Sequence, residues 1–299
     1  MQTYVWGGLN ENNPLTMTLS ATGNNLCQLR SDGSILRYQG VDQDWEPLLK
    51  ADVPVAIATD GDVVYRLQNS GNVYRYDTSD TSPSWVLLGD DENTVAIVAA
   101  GGGLCTLTND GGIYLYAGTP LDWLKLDDNP STIAIAAAGY HLYQLHSDGA
   151  IWEYNGTPLT GWLQLDTNPA TVAIACYGDD LYQLHDDGSV WQFNRYSGDS
   201  WTVIGDANGF HTYAISAGNG TVIQQLDADG ATYDLYMYTG TPHSGWDPID
   251  SSAGPYRAVV CGQPQPAEVD PPAADTPTGI YTVNVAGAPA EYMGLQDLS

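Results

Sequence analysis

The sequence is poor in basic residues, in phenylalanine and in long apolar runs. Eight lysines and arginines stand against 36 aspartates and glutamates, which gives a formal net charge of −28 over 299 residues. Such a surface repels nucleic acid and anionic membranes, so neither is expected as a partner. No run of 18 apolar residues occurs, which argues against membrane insertion. Hydrophobic residues still make up 43% of the chain, enough for a packed core.

What the chain has instead is one phrase that recurs six times. Each copy holds a strand that alternates apolar and polar residues, a turn ending in glycine and a second such strand, as in HLYQLHSDGAIWEYNG. A period of about 40 residues with four short strands per unit is typical of a β-propeller. We therefore predict an all-β fold of four-stranded antiparallel blades. The turn glycines are Gly33, Gly71, Gly111, Gly149, Gly188 and Gly230.

Each phrase is flanked by two further strand signals. A run of small apolar residues precedes it, as in TIAIAAA, and suits an innermost strand, where converging blades leave little room. A tryptophan follows it and marks the outermost strand. The outer tryptophans recur with nearly the same period: Trp6, Trp45, Trp85, Trp123, Trp162, Trp201 and Trp246.

The two ends of the chain indicate the number of blades. The N terminus opens on an outer strand and then an inner strand, without the middle pair. Residues 279–294 resemble that missing pair, and residues 256–262 resemble the inner strand before it. We predict one domain over residues 1–299, a seven-bladed propeller whose last blade is closed by the N-terminal strand; the alternative is six blades plus a tail. The proline-rich residues 263–278 are predicted to form an exposed loop.

The four cysteines bear on the cellular compartment. Cys27 and Cys105 occupy equivalent positions on blades that are not neighbours, too far apart for the ~6 Å Cα separation of a disulfide. Cys176 and Cys261 lie on inner strands, which come closer, so a bond between these two stays open. The favoured interpretation is four buried thiols in a reducing compartment. Because the first residues also lack the features of a secretory signal, we expect a cytoplasmic location, with secretion by a route without a signal as the alternative.

The repeat resembles that of a known family. The pattern LYQLH-x-DG-x-IW-x-Y-x-G-x-P, with a later Trp and LD-x-NP-x-T-x-AIA, resembles the tachylectin/tectonin class of β-propeller lectins, especially fungal ones. The resemblance covers residues 1–262 and, in weaker form, 279–294. It implies a lectin that recognises N-acetylglucosamine, fucose or O-methylated sugars without catalysis, at several equivalent sites between blades. Glycans or glycoconjugates are then the expected partners, with no cofactor and no metal.

The residues themselves also point to carbohydrate. Sugar recognition needs an aromatic face for the C–H patch of the ring, and planar amide or carboxylate groups for pairs of hydroxyls. Full repeats supply both, through an outer tryptophan, a Tyr-x-Gly-Thr-Pro loop and an Asn-Pro-x-Thr turn, and repetition makes the surface multivalent. The predicted ligand-binding residues are Trp85, Trp123, Trp162, Trp201, Asn129, Thr132, Asn168, Thr171, His146, His185 and Tyr154.

Packing is the competing interpretation of this set. A tryptophan at one position in every blade is also what contact between blades would select, and Trp152 and Trp191, on third strands, are predicted to be packing residues. His146 and His185 precede equivalent turns on neighbouring blades. Because neither has a second His or Cys at short spacing, both are predicted to face solvent or a ligand rather than a metal.

Two other classes of function stay open. No G-x-S-x-G, H-E-x-x-H, C-x-x-C or phosphate-loop motif occurs. The alternative to a lectin is an enzyme or small-molecule cyclase with a single asymmetric pocket at the channel mouth, where blade six departs most from the others around His243. A protein-interaction scaffold is the third hypothesis.

Overall fold

The computed structural model describes residues 7–8, 16–22, 25–38, 45–49, 54–205, 211–218, 221–227, 233–250, 256–261 and 280–284. Their strands, numbered in chain order, are β1 (Gly7–Gly8), β2 (Thr16–Thr22), β3 (Asn25–Arg30), β4 (Ile35–Tyr38), β5 (Trp45–Leu49), β6 (Pro54–Asp60), β7 (Val63–Gln68), β8 (Val73–Asp77), β9 (Val86–Gly89), β10 (Thr94–Ala100), β11 (Gly103–Thr108), β12 (Gly112–Tyr116), β13 (Trp123–Asp128), β14 (Thr132–Ala138), β15 (His141–His146), β16 (Ile151–Tyr154), β17 (Trp162–Asp166), β18 (Thr171–Tyr177), β19 (Asp180–His185), β20 (Val190–Asn194), β21 (Ser200–Gly205), β22 (His211–Gly218), β23 (Thr221–Asp227), β24 (Tyr233–Tyr238), β25 (Trp246–Asp250), β26 (Tyr256–Cys261) and β27 (Ile280–Asn284).

These strands form the blades of a propeller. Six sheets each contain four consecutive antiparallel strands, and we number them as blades one to six: β2–β5, β6–β9, β10–β13, β14–β17, β18–β21 and β22–β25. The innermost strand of each blade contacts that of the next, from β2 round to β22. Strand β26 contacts both β22 and β2, so the innermost strands close into a ring of seven. The predicted seven-bladed all-β fold is confirmed.

The seventh blade joins the two ends of the chain. Its order in the described residues is β26-β27-β1, and β1 pairs with β27 in parallel, with Gly7 opposite Tyr281. The N-terminal strand therefore closes the last blade, as predicted. It pairs directly with the second strand, whereas the sequence predicted a third strand between them. That predicted strand, Trp6 and the proline-rich residues 263–278 lie outside the described residues.

The apolar core lies between blades rather than within one. A representative cluster joins Tyr143, Leu145 and Ile151 of blade four to Leu181 and Phe193 of blade five, all nearly inaccessible to solvent. Successive side chains of a strand point to opposite faces of the sheet, so each blade presents one set of apolar side chains to the blade before it and one to the blade after it. Each blade therefore depends on its neighbours for burial of its apolar faces.

The hairpin turns also touch the neighbouring connection. Gly149 has a φ of +83°, a left-handed conformation that favours glycine. A Cβ at this residue would lie 2.0 Å from the carbonyl oxygen of Asn168. The turn glycine is therefore required both by its backbone conformation and by the close approach of the next connection between blades.

Three of the four cysteine side chains lie within the described residues. Cys27 and Cys105 are buried and Cys176 is half-buried, and none of the three forms a disulfide. Burial raises the pKa of each thiol to about 12, so all three are poor nucleophiles at neutral pH. The side chain of Cys261 lies outside the described residues. Among the residues described, no helix is long and apolar enough to span a membrane.

Candidate functional site

The outer tryptophans join neighbouring blades. The indole Nε1–H of Trp162, in blade four, donates to the carbonyl oxygen of Leu126 in blade three over 3.1 Å. The Trp162 ring packs against Tyr154 of its own blade, with centroids 5.2 Å apart. The indole therefore bridges two blades with its one polar group. The same bond recurs from Trp85 to Leu48 (3.1 Å), Trp123 to Leu88 (3.0 Å), Trp201 to Leu165 (3.1 Å) and Trp246 to Ile204 (2.8 Å).

The Tyr-x-Gly-Thr-Pro loops reach the same acceptors. The backbone N–H of Leu159 donates to the Leu126 carbonyl oxygen over 2.8 Å, so this oxygen accepts two bonds from blade four. Leu159 adopts a left-handed φ of +66° to do so. Leu121 and His243 repeat the geometry in blades three and six, with φ of +66° and +65°. These loops therefore belong to the contact between blades.

The Asn-Pro-x-Thr turns build a buried polar network at the joint of blades three and four. Thr132 Oγ1 donates to Gln144 Oε1 over 2.6 Å, and Gln144 Nε2 donates to Asp127 Oδ2 over 2.8 Å. Asp127 lies on the outer strand of blade three, whereas Thr132 and Gln144 belong to blade four. The Asn129 amide nitrogen lies 3.5 Å from Nε2 of His146. The buried polar side chains of the two blades thus form hydrogen bonds with each other.

The joint of blades four and five repeats this network. Thr171 Oγ1 donates to Gln183 Oε1 over 2.6 Å, and Gln183 Nε2 donates to Asp166 Oδ2 over 2.8 Å. The Asn168 amide nitrogen lies 3.4 Å from Nε2 of His185. Two consecutive joints therefore use the same residues in the same roles.

The two histidines were predicted to face solvent or a ligand, and their burial excludes the first of these alternatives. His146 and His185 are only 5% and 4% exposed. Their rings lie against Trp152 and Trp191, with centroids 5.8 and 5.3 Å apart. Burial lowers the pKa of both imidazoles, and neighbouring aspartates offset part of that shift. The solvent-facing alternative was wrong because each histidine and the tryptophan six residues later lie on adjacent strands of one hairpin, where the indole covers the imidazole ring.

Most of the predicted ligand residues thus make their contacts inside the joints. The contacts seen for the outer tryptophans, for Tyr154 and for the Asn, Thr and His residues are made with other parts of this chain. Their role in ligand binding stays a prediction. Trp123 is distinctive in that it also lines a cavity between blades. The described residues contain no group of three or more His, Cys, Asp or Glu side chains arranged to hold a metal ion.

The innermost strands enclose a channel with a cavity of about 530 Å³. Its wall is built largely from small residues, such as Ala99 and Ala138, as the sequence indicated. At one end the innermost strands turn into the second strands, and Asp60 and Tyr177 line the cavity there. Asp60 Oδ2 accepts the backbone N–H of Gly102 over 2.5 Å, which joins blades two and three at this end. We call this end the channel mouth.

Aromatic and charged side chains of blades four and five border the channel mouth, and among them the Tyr140 ring lies on the side of Gly101 in blade three. Tyr140 and Tyr196 are 97% and 82% exposed. The Tyr196 hydroxyl donates to Asp179 Oδ2 over 2.6 Å, and Nε2 of His141 lies 3.0 Å from Asp179 Oδ1. These hydrogen bonds from Tyr196 and His141 lower the pKa of the Asp179 carboxyl. We call Tyr140, His141, Asp179, Arg195 and Tyr196 the mouth patch.

Buried partners hold the mouth patch in place. Both terminal nitrogens of Arg195 donate to the Glu153 carboxylate over 2.9 Å, and Nη2 also donates to the Tyr143 hydroxyl over 2.7 Å. Nδ1 of His141 lies 2.7 Å from Glu153 Oε1. Burial raises the pKa of Tyr143, so its phenol stays neutral and accepts the bond from Arg195. Bidentate pairing of this kind fixes the orientation of Arg195.

Sequence reasoning missed the mouth patch. Its loop forms a 3-10 turn at Arg195–Ser197, followed by Gly198 with φ of +89° and Asp199 with φ of +48°. The letters NRYSGDSW stand where other blades carry Tyr-x-Gly-Thr-Pro, and that departure was the available signal. The sequence prediction of an asymmetric site focused on blade six instead, because its expansion is longer.

Comparison with known proteins supports the fold. No protein-family model and no curated protein matches the sequence. Among solved structures, human WBSCR16 is similar at 11% identity and a TM-score of 0.67, over 85% of this chain and 86% of that one. YCF48 bound to D1 peptide is similar at 13% identity and 0.63, over 87% and 91%. Prp20p from Saccharomyces cerevisiae is similar at 12% identity and 0.62, over 82% and 80%.

The same comparison corrects the predicted partners. Prp20p is described with its binding to Gsp1p and histones, and YCF48 with a peptide, so these propellers bind proteins rather than glycans. The prediction of glycans or glycoconjugates as partners is therefore wrong. The physical reason for the error is that aromatic and amide groups at repeated positions serve contact between blades as well as they would serve a sugar.

Proposed function

We propose that the protein is an interaction scaffold and that the mouth patch is its docking surface for a partner protein. The observation that carries this proposal is the pair of tyrosines, Tyr140 and Tyr196, almost fully exposed beside the channel mouth while their neighbours are tightly bonded. Tyrosine is enriched among the residues that dominate protein interfaces, because its ring is large and its hydroxyl polar. Both rings are largely exposed, so neither contributes much apolar burial to the fold.

The mouth patch is also preorganised for binding. The Tyr196 hydroxyl is held by Asp179, and Arg195 is held by Glu153 and Tyr143. A partner that docks here orders few additional side chains, which lowers the entropic cost of association. The net charge of −28 favours a neutral or basic partner, because an acidic protein would be repelled on approach.

The protein partners named for similar propellers support the same class of function. They support only the general class of protein binding, since identities of 11 to 13% indicate a shared fold and not a shared binding site. We also propose that the repeat is of the tachylectin/tectonin type, on the strength of its shared phrase. The buried thiol of Cys105, which forms no disulfide, supports the proposal that the protein acts in a reducing compartment.

Site-specific photocrosslinking tests the proposal and captures the partner in the same step. A benzophenone amino acid is placed at Tyr140 or Tyr196, and at Leu163 as a control, because Leu163 is also exposed (56%) but lies on the outer strand of blade four. We expect one protein to be crosslinked from positions 140 and 196 in cell extract, and not from position 163. Equal crosslinking from all three positions, or none from the mouth patch, would contradict the proposal.

A further inference from the structure

The joint between blades two and three lacks the residues that fill the next two joints. Asp127 and Asp166 each lie four residues after the outer tryptophan of their blade. The equivalent residue in blade two, four residues after Trp85, is Gly89. Where Gln144 stands in blade four, blade three has Thr106, since both lie on the fourth position of the second strand.

One member of the network is kept. Thr94 of blade three corresponds to Thr132 and Thr171, the hydroxyl donors of the filled joints, at the start of the innermost strand. In the filled joints the equivalent threonines donate to a glutamine, which in turn donates to an aspartate. The joint of blades two and three has neither residue at the equivalent positions, and no side-chain hydrogen bond of Thr94 or Thr106 is seen among the described residues. Both threonines are nevertheless buried, at 8% and 4% exposure.

The missing side chains leave a cavity of about 260 Å³ between blades two and three. Its polar lining consists of the Thr94 and Thr106 hydroxyls and, at the exposed rim, Asp90 and Asp91. The rest of the lining is apolar or aromatic and comprises Val73, Gly89, Leu121, Tyr114 and Trp123. No lysine or arginine is among the residues that line it.

The chemistry of this lining selects a cation that carries several donors. Carboxylates and hydroxyls accept hydrogen bonds, and the Trp123 N–H is already committed to Leu88. A guanidinium has five donors, no acceptor and two flat faces that stack on aromatic rings. We propose that the open joint between blades two and three is a binding site for a guanidinium group, either on an arginine side chain of a protein or on a small molecule.

The size of the cavity agrees with a single side chain. Pockets for drug-sized ligands span roughly 300–1,000 Å³, so about 260 Å³ suits one guanidinium with its aliphatic stem. The site lies at a different joint from the mouth patch, so its occupation and docking at the mouth patch are separate events. Failure of either proposal leaves the other standing.

Lys125 lies beside the cavity, and its positive charge allows the charge of the bound group to be tested. The Lys125 ammonium lies 5.6 Å from the centroid of the Tyr114 ring and 3.7 Å from Asp128. This ring already attracts a cation, as the quadrupole of an aromatic face requires. Lys125 would repel a cationic guest and attract an anionic one, so Lys125→Met should strengthen guanidinium binding by about 2-fold or more.

The binding test uses capped arginine (N-acetylarginine N-methylamide) as the probe and capped citrulline as a neutral isostere. The readout is the NMR signal of the Trp123 indole N–H, with the Trp162 indole at a filled joint as the internal control. We expect arginine at millimolar concentration to shift the Trp123 signal alone, and citrulline to bind at least 10-fold more weakly. Equal binding of citrulline, or no shift of Trp123, would overturn the proposal.

Variants locate the site. The double variant Gly89→Asp/Thr106→Gln rebuilds the hydrogen-bond network of the filled joints beside Thr94. We expect it to abolish binding without lowering the melting temperature of the protein. A Cβ at Gly89 lies 3.0 Å from Trp123 Nε1, a contact that needs a small shift. If this variant fails to fold, Asp90→Asn on the exposed rim should weaken binding several-fold. Unchanged affinity in both variants would refute the site.

The source of the guanidinium is decided by a peptide. Gly-Gly-Arg-Gly-Gly binding more tightly than capped arginine would assign the site to a polypeptide chain, whereas equal affinity would assign it to a small molecule. Either result supports a guanidinium site. Binding of the peptide that is unaffected by replacing its arginine with citrulline would contradict it.

Discussion

At the residue scale, the outer tryptophan acts as a bond between blades. Trp162 illustrates the arrangement, with its ring against Tyr154 in blade four and its N–H on the Leu126 carbonyl in blade three. The ring contributes apolar burial and the nitrogen contributes one hydrogen bond, and these contributions can be separated by substitution.

We expect Trp162→Ala to lower the free energy of unfolding by about 3–5 kcal/mol, because it removes a large aromatic side chain from a packed joint. Trp162→Phe should lower it by less, since a phenyl ring keeps part of the packing although the larger indole and its bond to Leu126 are lost. Urea denaturation measures both. A loss below about 1 kcal/mol for Trp162→Ala would show that the ring is not a packing residue.

Two buried tryptophan nitrogens, Nε1 of Trp45 and Nε1 of Trp152, have no hydrogen-bond partner among the described residues. Trp152 Nε1 is buried without a hydrogen-bond partner, whereas Trp191 at the equivalent position donates to Ser189 Oγ over 2.9 Å. Blade four has Ala150 where blade five has Ser189. The missing hydroxyl explains the difference.

Ala150→Ser should therefore raise the free energy of unfolding by about 1 kcal/mol, because a buried donor gains its acceptor. The matched change Ser189→Ala in blade five should lower it by about 1–3 kcal/mol, since it creates the same unsatisfied donor there. Thermal unfolding of the two variants gives the answer. Destabilisation by Ala150→Ser would mean that the added oxygen does not reach Trp152.

At the element scale, the joints between blades three, four and five depend on neutral histidines. His146 and His185 are buried beside Asn129 and Asn168, and burial holds the pKa of each ring below its ordinary value. In the unfolded chain the same groups titrate near about 6.5. The unfolded state therefore binds more protons than the folded state as the pH falls through this value, and stability decreases.

We expect the free energy of unfolding to fall as the pH is lowered from about 7.5 to about 5.5, and the fall to be smaller in the double variant His146→Gln/His185→Gln. Paired carboxylates such as Asp32 and Asp77, whose pKa values are lowered by hydrogen bonds from serines, contribute only at more acidic pH. Denaturation at several pH values tests this. An equal slope in the double variant would place the pH dependence elsewhere.

The blades could be predicted from sequence and the mouth patch could not. Turn glycines and outer tryptophans recur because each blade needs a tight turn and a contact with its neighbour, so their period shows in the letters. The mouth patch depends on contacts of Arg195 with Glu153 and Tyr143, which are 42 and 52 residues away and belong to the previous blade. Such contacts follow no period. The exposure of Tyr196 is likewise set by its loop.

At the scale of the whole molecule, the hydrogen bond of the outer tryptophan recurs at five consecutive joints, and two places stand out against this repetition. The mouth patch departs from the repeat by adding exposed aromatic side chains, and the open joint departs from it by removing buried ones. The net charge of −28 favours cationic or neutral partners at both places. Function is expected at such places, because residues that merely hold blades together, such as the outer tryptophans, recur from one joint to the next.

The central claim is that the mouth patch docks a protein. Its most direct test is the affinity of the crosslinked partner for the wild type, Tyr196→Ala and Leu163→Ala, measured by calorimetry. We expect Tyr196→Ala to weaken binding by roughly 10-fold or more, as loss of a central interface tyrosine does, and Leu163→Ala to bind like the wild type. Unchanged affinity in a folded Tyr196→Ala variant would contradict the claim.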